Sequence, residues 1–202
     1  LFPSLDLGIT TVVQGDSTPR YANVIWDLFN PKVIVIGSST GGPTVLEKIF
    51  SEISLPLRCP IFITQHMPPI FTAALAERLQ KISGIPTVEA KNGMVVQMNT
   101  IYLAPGNYHM SLAGTKDNLT IVLDQGPMLN SVRPAVDPLF NSAASIFGNK
   151  TLGIVLTGMG ADGNDGAKKI KSVGGAVLIQ SEQTCVVFGM PGAVKASGAY
   201  DK

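Results

Sequence analysis

Residues 32–43 read KVIVIGSSTGGP, and TVLEKIFSEI follows over 44–53. A short run of Val and Ile that ends in glycine predicts a strand, and Pro43 stands where a first helical turn tolerates proline, so the segment reads strand, turn, helix. The unit recurs as PIFITQ (60–65) before PIFTAALAERLQKIS (69–83), and as TLGIVLTG (151–158) before DGAKKIKSVG (165–174) and GAVLIQ (175–180). Strands apolar at nearly every position are those covered by helices on both faces. From Thr87 to Asp124 the pieces TVEA, MVVQ, TIYLAP, YHMSLAG and NLTIVLD are separated by Gly and Asn turns and carry no helical period, which predicts an antiparallel insert or edge. The expected fold is α/β: a three-layer, doubly wound, mostly parallel sheet, Rossmann-like, with an antiparallel excursion. Residues 1–30 have no sustained period and read as an N-terminal arm or linker remnant, leaving 31–202 as the folded domain.

Composition narrows the function classes. Across 202 residues, 15 Lys and Arg against 14 Asp and Glu give a net charge of +1, no overall electrostatic footprint for nucleic acid or anionic lipid. No apolar run approaches the roughly 20 residues that span a bilayer, so membrane insertion is not expected. Cys59 and Cys185 match neither a disulfide framework nor a zinc spacing, and read as buried free thiols in a reducing compartment. No leader pattern precedes a cleavage site, and the first residue is Leu, so a cytoplasmic fragment is the expectation.

In open sheets of this kind ligands bind beyond the carboxyl ends of the strands. Three loops there hold unusual residues: GSSTGG after β-forming KVIVI, QHMPP after IFIT, and GMGADG after GIVLT. The first fits G-x-S-x-G with Ser39 at its centre, in the strand-to-helix context that exposes a nucleophilic hydroxyl. Ser38 lacks the glycine spacing, and an N-cap serine beside a phosphate-binding turn is the plainer alternative for the loop. A serine needs a base, and the chain has two histidines. His66 ends an apolar strand, ahead of Pro68 and Pro69; His109 lies in the antiparallel region and reads as structural. Asp162 is the acid at a corresponding strand end and would fix the imidazole tautomer, with Asp165 better placed to N-cap the following helix. The order Ser, His, Asp differs from the order of the ordinary α/β-hydrolases.

A second class of function competes for the same loop. Gly158, Gly160 and Gly163 fit G-x-G-x-x-G after a strand, with Glu182 about twenty residues on, the formal fingerprint of dinucleotide binding. Against it stands Asp162, whose charge would repel a pyrophosphate at the helix start. Met94, Met98, Met110, Met128, Met159 and Met190 share no period and read as core or loop filling.

Six blocks, VIVIGSSTGGP, TQHMPP, YLAPGNYHM, SVRPAVDPLF, VLTGMGADG and CVVFGMP, resemble in order the catalytic domain of the chemotaxis protein-glutamate methylesterases, the CheB-type enzymes. The resemblance covers about residues 32–200. It puts the family's catalytic serine on Ser39, its histidine on His66 and its aspartate on Asp162. It implies hydrolysis of glutamate γ-methyl esters on the cytoplasmic helices of chemoreceptors, with deamidation of receptor glutamines, and no metal or organic cofactor. Main-chain amides near Thr40 and Met159 are the implied oxyanion donors. The family's regulatory receiver domain is absent from this sequence, and relatives generally run several residues past GAYDK. Arg133 and Asp137 match a family block, and Asp137 could also N-cap the helix through Phe140.

Overall fold

The computed structural model describes Tyr21, Val24 and residues 26–53 and 57–202. At its centre lie β1 (Val33–Ser38) and β2 (Ile61–Gln65), buried at every position. With β3 (Thr87–Glu89), β4 (Ile101–Leu103), β7 (Thr151–Val155) and β8 (Ala176–Ile179) they form a parallel sheet in the order β3-β4-β2-β1-β7-β8. Side chains alternate between faces along a strand. Ile34 and Ile36 therefore meet Leu46 and Phe50 of α1 (Gly42–Glu52) and Leu75 and Leu79 of α2 (Pro69–Ser83). Val33 and Val35 face the other way, toward a core that holds Leu139 and Phe140 of α3 (Val136–Phe147) and Ile170 of α4 (Asn164–Ser172). The same core takes Val194 of α5 (Met190–Ser197). Each such side chain contributes about 1.5–3 kcal/mol on burial, so the continuous apolar strands make the sheet the spine of the molecule.

The antiparallel excursion is smaller than the sequence pattern predicts. YHMSLAG and NLTIVLD do pair antiparallel, as β5 (His109–Thr115) and β6 (Asn118–Asp124). TVEA and TIYLAP instead become β3 and β4, parallel edge strands of the main sheet. Their crossover contains no helix. Its backbone is satisfied by β6, where Gly93 N donates to Ile121 O at 2.8 Å, Val96 N to Leu119 O at 2.9 Å, and Ile121 N returns a bond to Met94 O at 2.9 Å. Three-residue strands joined by such a strap leave no helical period to read.

Of the expected arm, residues 1–20, 22, 23 and 25 lie outside the described residues. Trp26–Leu28 forms a 3-10 turn, and Trp26 and Phe29 meet edge to face at 5.7 Å while packing on the core beneath α1 and α2. No helix among the described residues is long and apolar enough to cross a membrane. From β1 the chain reaches β2 on one side and, later, β7 on the other, so the crevice beyond the ends of these three strands is the topological switch point where such folds bind ligands.

Candidate active site

Two adjacent serines leave β1, and the structure separates their roles. Ser38 is fully buried, and its hydroxyl donates to Gln65 Oε1 at 2.7 Å. Gln65, 2% exposed, spends its amide nitrogen on the carbonyls of Ser39 and His66, each at 3.0 Å. One side chain at the end of β2 thus braces both strand-end loops. Room for it depends on Gly42, where a Cβ would come within 2.1 Å of Gln65 Oε1. Ser39 is half-buried and its hydroxyl has no hydrogen-bond partner among the described residues. Its amide donates to Thr157 O at 2.9 Å, which ties the loop to the end of β7.

His66 follows Gln65, and its amide donates to Ser38 O at 3.0 Å. Its Nε2 lies 2.7 Å from Asp162 Oδ2, with the two side chains 10% and 2% exposed. The sequence-predicted base and acid are thereby joined across 96 residues of chain. Asp162 is held by more than the imidazole. Its Oδ2 accepts the Val136 amide at 2.6 Å, and its Oδ1 accepts the Asp137 amide at 3.4 Å and the Asn130 side-chain amide at 3.2 Å. Burial on its own would raise the pKa of this carboxyl. The hydrogen bonds from His66, Val136 and Asn130 and the imidazole charge outweigh it and hold Asp162 below the ordinary carboxylate value. An ionised carboxylate only accepts, so His66 Nε2 carries the hydrogen and Nδ1 is left as the proton acceptor. The serine-protease template uses the two ring nitrogens the other way round.

The Cβ of Ser39 packs against the GMGADG loop, since a Cβ on Gly158 would lie 2.7 Å from it. Thr40 is exposed and its carbonyl accepts the Thr157 hydroxyl at 2.9 Å, while Met159 is 71% exposed. The main-chain amides of Thr40 and Met159 have no acceptor among the described residues, so both remain available on either side of the Ser39 loop.

Other candidates fall into structural positions. His109 is buried; its Nδ1 accepts the Ala135 amide at 3.1 Å and its Nε2 donates to Pro127 O at 3.0 Å, which pins the residue preceding α3. Arg133 clamps Asn107 Oδ1 and the carbonyls of Gln125 and Gly126. Neither Asp137 nor Asp165 is an N-cap. Both lie inside the first turn of a helix, after Ala135 and Gly163 respectively, and Asp165 pairs with Lys168 at 3.0 Å. The capping of α3 is done from a distance by Asp162. Cys59 is buried, Cys185 only half-buried, and burial pushes both thiols up to about 11, which disfavours either as a nucleophile. Among the described residues no group of His, Cys, Asp or Glu could hold a metal ion.

The dinucleotide alternative is not favoured. The Gly158 amide is already spent on Val187 O at 3.0 Å and its carbonyl on the amides of Gly189 and Met190, so the first glycine of the fingerprint has no amide free for a phosphate. Asp162 adds a buried negative charge to the same loop. The residues that sequence reasoning missed are Gln65, Asn130 and Gly42. Only Gln65 left a signal, a polar side chain closing an apolar strand.

Comparison with known proteins places the chain in a family. The sequence profile described as CheB methylesterase matches residues 34–202. A protein-glutamate methylesterase/protein-glutamine glutaminase of Maricaulis maris is 46% identical over 189 residues, covering 94% of this chain and 46% of that protein. The Thermotoga maritima protein of the same name is 44% identical over 170 residues, covering 84% of this chain and 49% of its own length. The chain therefore spans a little under half of these curated relatives. The crystal structure of the Thermotoga maritima CheB methylesterase catalytic domain superposes with a TM-score of 0.82 at 44% identity, covering 85% of this chain and 91% of that one. The chain belongs to the CheB methylesterase family.

Proposed function

We propose that this domain is a serine hydrolase that demethylates glutamate γ-methyl esters on the cytoplasmic helices of chemoreceptors and deamidates receptor glutamines, working in the cytoplasm under a receiver domain. The observation that carries the reading is the 2.7 Å contact between His66 and Asp162 beside the G-x-S-x-G turn of Ser39. His66 Nδ1 takes the Ser39 proton as Oγ attacks the side-chain carbonyl carbon, and the carbonyl electron pair moves to oxygen. Amides of Thr40 and Met159 receive that oxyanion. The imidazolium, stabilised by Asp162, returns the proton to the leaving methoxide or amide, which departs as methanol or ammonia. His66 then deprotonates a water that cleaves the acyl-enzyme, leaving a glutamate on the receptor and Ser39 restored.

The surroundings suit an uncharged side chain on a helix. Ile70 (78% exposed), in the first turn of α2, and Met128 (61%), Met159 and Val186 (66%), on loops, are exposed apolar side chains that would offer contacts around the strand ends. Met128 and Met159, two of the methionines expected as core or loop filling, are on loops and exposed, available to a partner. Incubating the protein with methyl-labelled receptor signalling domain tests the reading. Volatile label that disappears with Ser39→Ala is the expected result; no release by the unaltered protein overturns it.

A further inference from the structure

A second carboxylate stands behind the first. The Asn130 amide nitrogen lies 3.2 Å from Asp162 Oδ1 and 3.3 Å from Asp137 Oδ2, so one side chain serves both acids. Asp137 Oδ1 accepts the Gly166 amide of α4 at 2.8 Å. Asn130 is delivered by a tight turn: Asn130 and Ser131 have φ of 50° and 64°, and Leu129 and Val132 exchange main-chain hydrogen bonds of 3.2 and 2.9 Å across it. Asparagine tolerates that left-handed conformation better than most residues. No Lys, Arg or His pairs with Asp137 among the described residues. The titratable groups facing it are Asp162 from the β7–α4 loop, Asp165 from α4, which is paired with Lys168, and His66 beyond Asp162.

Two carboxylates so close do not ionise independently, and their hydrogen bonds decide which one keeps a proton. Asp162 has the imidazole, two helix amides and Asn130; Asp137 has the Gly166 amide and a share of Asn130. Asp137 is therefore the acid that holds its proton longer, its carboxyl pushed up to about 6 by burial and by the charges of Asp162 and Asp165, against the pull of the Gly166 amide; above that pH both acids are ionised.

We propose that Asn130 and Asp137 are positioning residues of the hydrolytic site: Asn130 fixes the face that Asp162 turns to His66, and Asp137 supplies a second negative charge that strengthens the hold on the imidazolium. This rests on the triad reading of Ser39, His66 and Asp162. A negative charge behind the acid raises the proton affinity of the ring, and so favours proton uptake from the serine. Loss of the Asn130 amide leaves Asp162 with one donor fewer and makes it the stronger acceptor for the ring hydrogen. The two changes therefore act on His66 with opposite sign, a pattern that a purely structural role for these residues does not produce.

Histidine-ring NMR titration tests this without substrate, His66→Gln assigning the signal. Asp137→Asn is expected to lower the His66 midpoint by about 0.5 pH unit or more, Asp137→Glu to restore it, and Asn130→Gly, which keeps the turn backbone accessible, to raise it. In ester cleavage, Asp137→Asn and Asn130→Gly are expected to lower kcat about tenfold with KM within about twofold. An unchanged His66 midpoint in folded Asp137→Asn, or shifts of the same sign in Asp137→Asn and Asn130→Gly, overturns the proposal. Because the titration reads the ring itself, an unaltered protein that releases no methanol would sink the functional reading while leaving this measurement interpretable.

Discussion

Asp162 Oδ2 lies 2.6 Å from the Val136 amide and 2.7 Å from His66 Nε2, so one oxygen both caps α3 and orients the imidazole. The positive end of the α3 dipole sits against a carboxylate whose ionised form the site requires. Asp162→Asn and Asp162→Ala should therefore separate two effects. Both are expected to lower kcat by about a thousandfold or more, through loss of the tautomer and of imidazolium stabilisation. The alanine variant also leaves helix amides unsatisfied and should lose about 1–2 kcal/mol of stability beyond any loss in the asparagine variant. Urea unfolding beside single-turnover kinetics checks this, and equal stability of the two variants would refute the capping role.

The two acids of the α3 terminus bias stability in opposite directions with pH. Asp162, held below its ordinary value, contributes stability that is present above the unfolded carboxylate pKa and is lost as pH falls through the folded value. Asp137, raised from 3.8 to about 6, favours the fold below 3.8, and that contribution disappears as pH rises through about 6. Asp137→Asn should accordingly gain stability relative to the parent between about pH 4 and about pH 7.5, by on the order of 1 kcal/mol once solvent screening is allowed for. Denaturant melts at the two ends measure it. A parent-to-variant difference that does not change with pH contradicts the assignment.

Gly42→Ala tests the brace between the strand ends. The added methyl would fall 2.1 Å from Gln65 Oε1 and 2.9 Å from Ser38 Oγ, and neither is free to move without breaking the bond between them. We expect a loss of about 1–3 kcal/mol in unfolding free energy and a fall in kcat larger than the change in KM, because Gln65 also holds the carbonyls of Ser39 and His66. Wild-type kcat in a folded Gly42→Ala protein would show that the brace is not needed for catalysis.

Much of this was legible in the chain because the evidence is local. The runs VIVI, IFIT and GIVLT are buried strands whose ends carry Ser39, His66 and Asp162, and alternating strand and helix periods force those ends to one edge of a parallel sheet. What the pattern could not convey is tertiary. β3 and β4 are three residues long and joined without a helix, so their parallel pairing has no periodic signature. The N-terminus of α3 has no capping side chain of its own, because the cap arrives from Asp162, 26 residues further along. Asn130 and Gln65 matter through partners distant in sequence, and no spacing rule announces such contacts.

The most direct test of the central claim is covalent labelling with a serine-reactive phosphonate ester, read by peptide mass spectrometry on the parent, Ser38→Ala and Ser39→Ala. Ser38 is committed to Gln65, whereas the Ser39 hydroxyl has no hydrogen-bond partner among the described residues and stands on the loop that the Gln65 side chain ties to His66. The account predicts a single label on Ser39, retained in Ser38→Ala, abolished in Ser39→Ala and strongly slowed in His66→Gln. Label on Ser38, or labelling that survives Ser39→Ala, would contradict it.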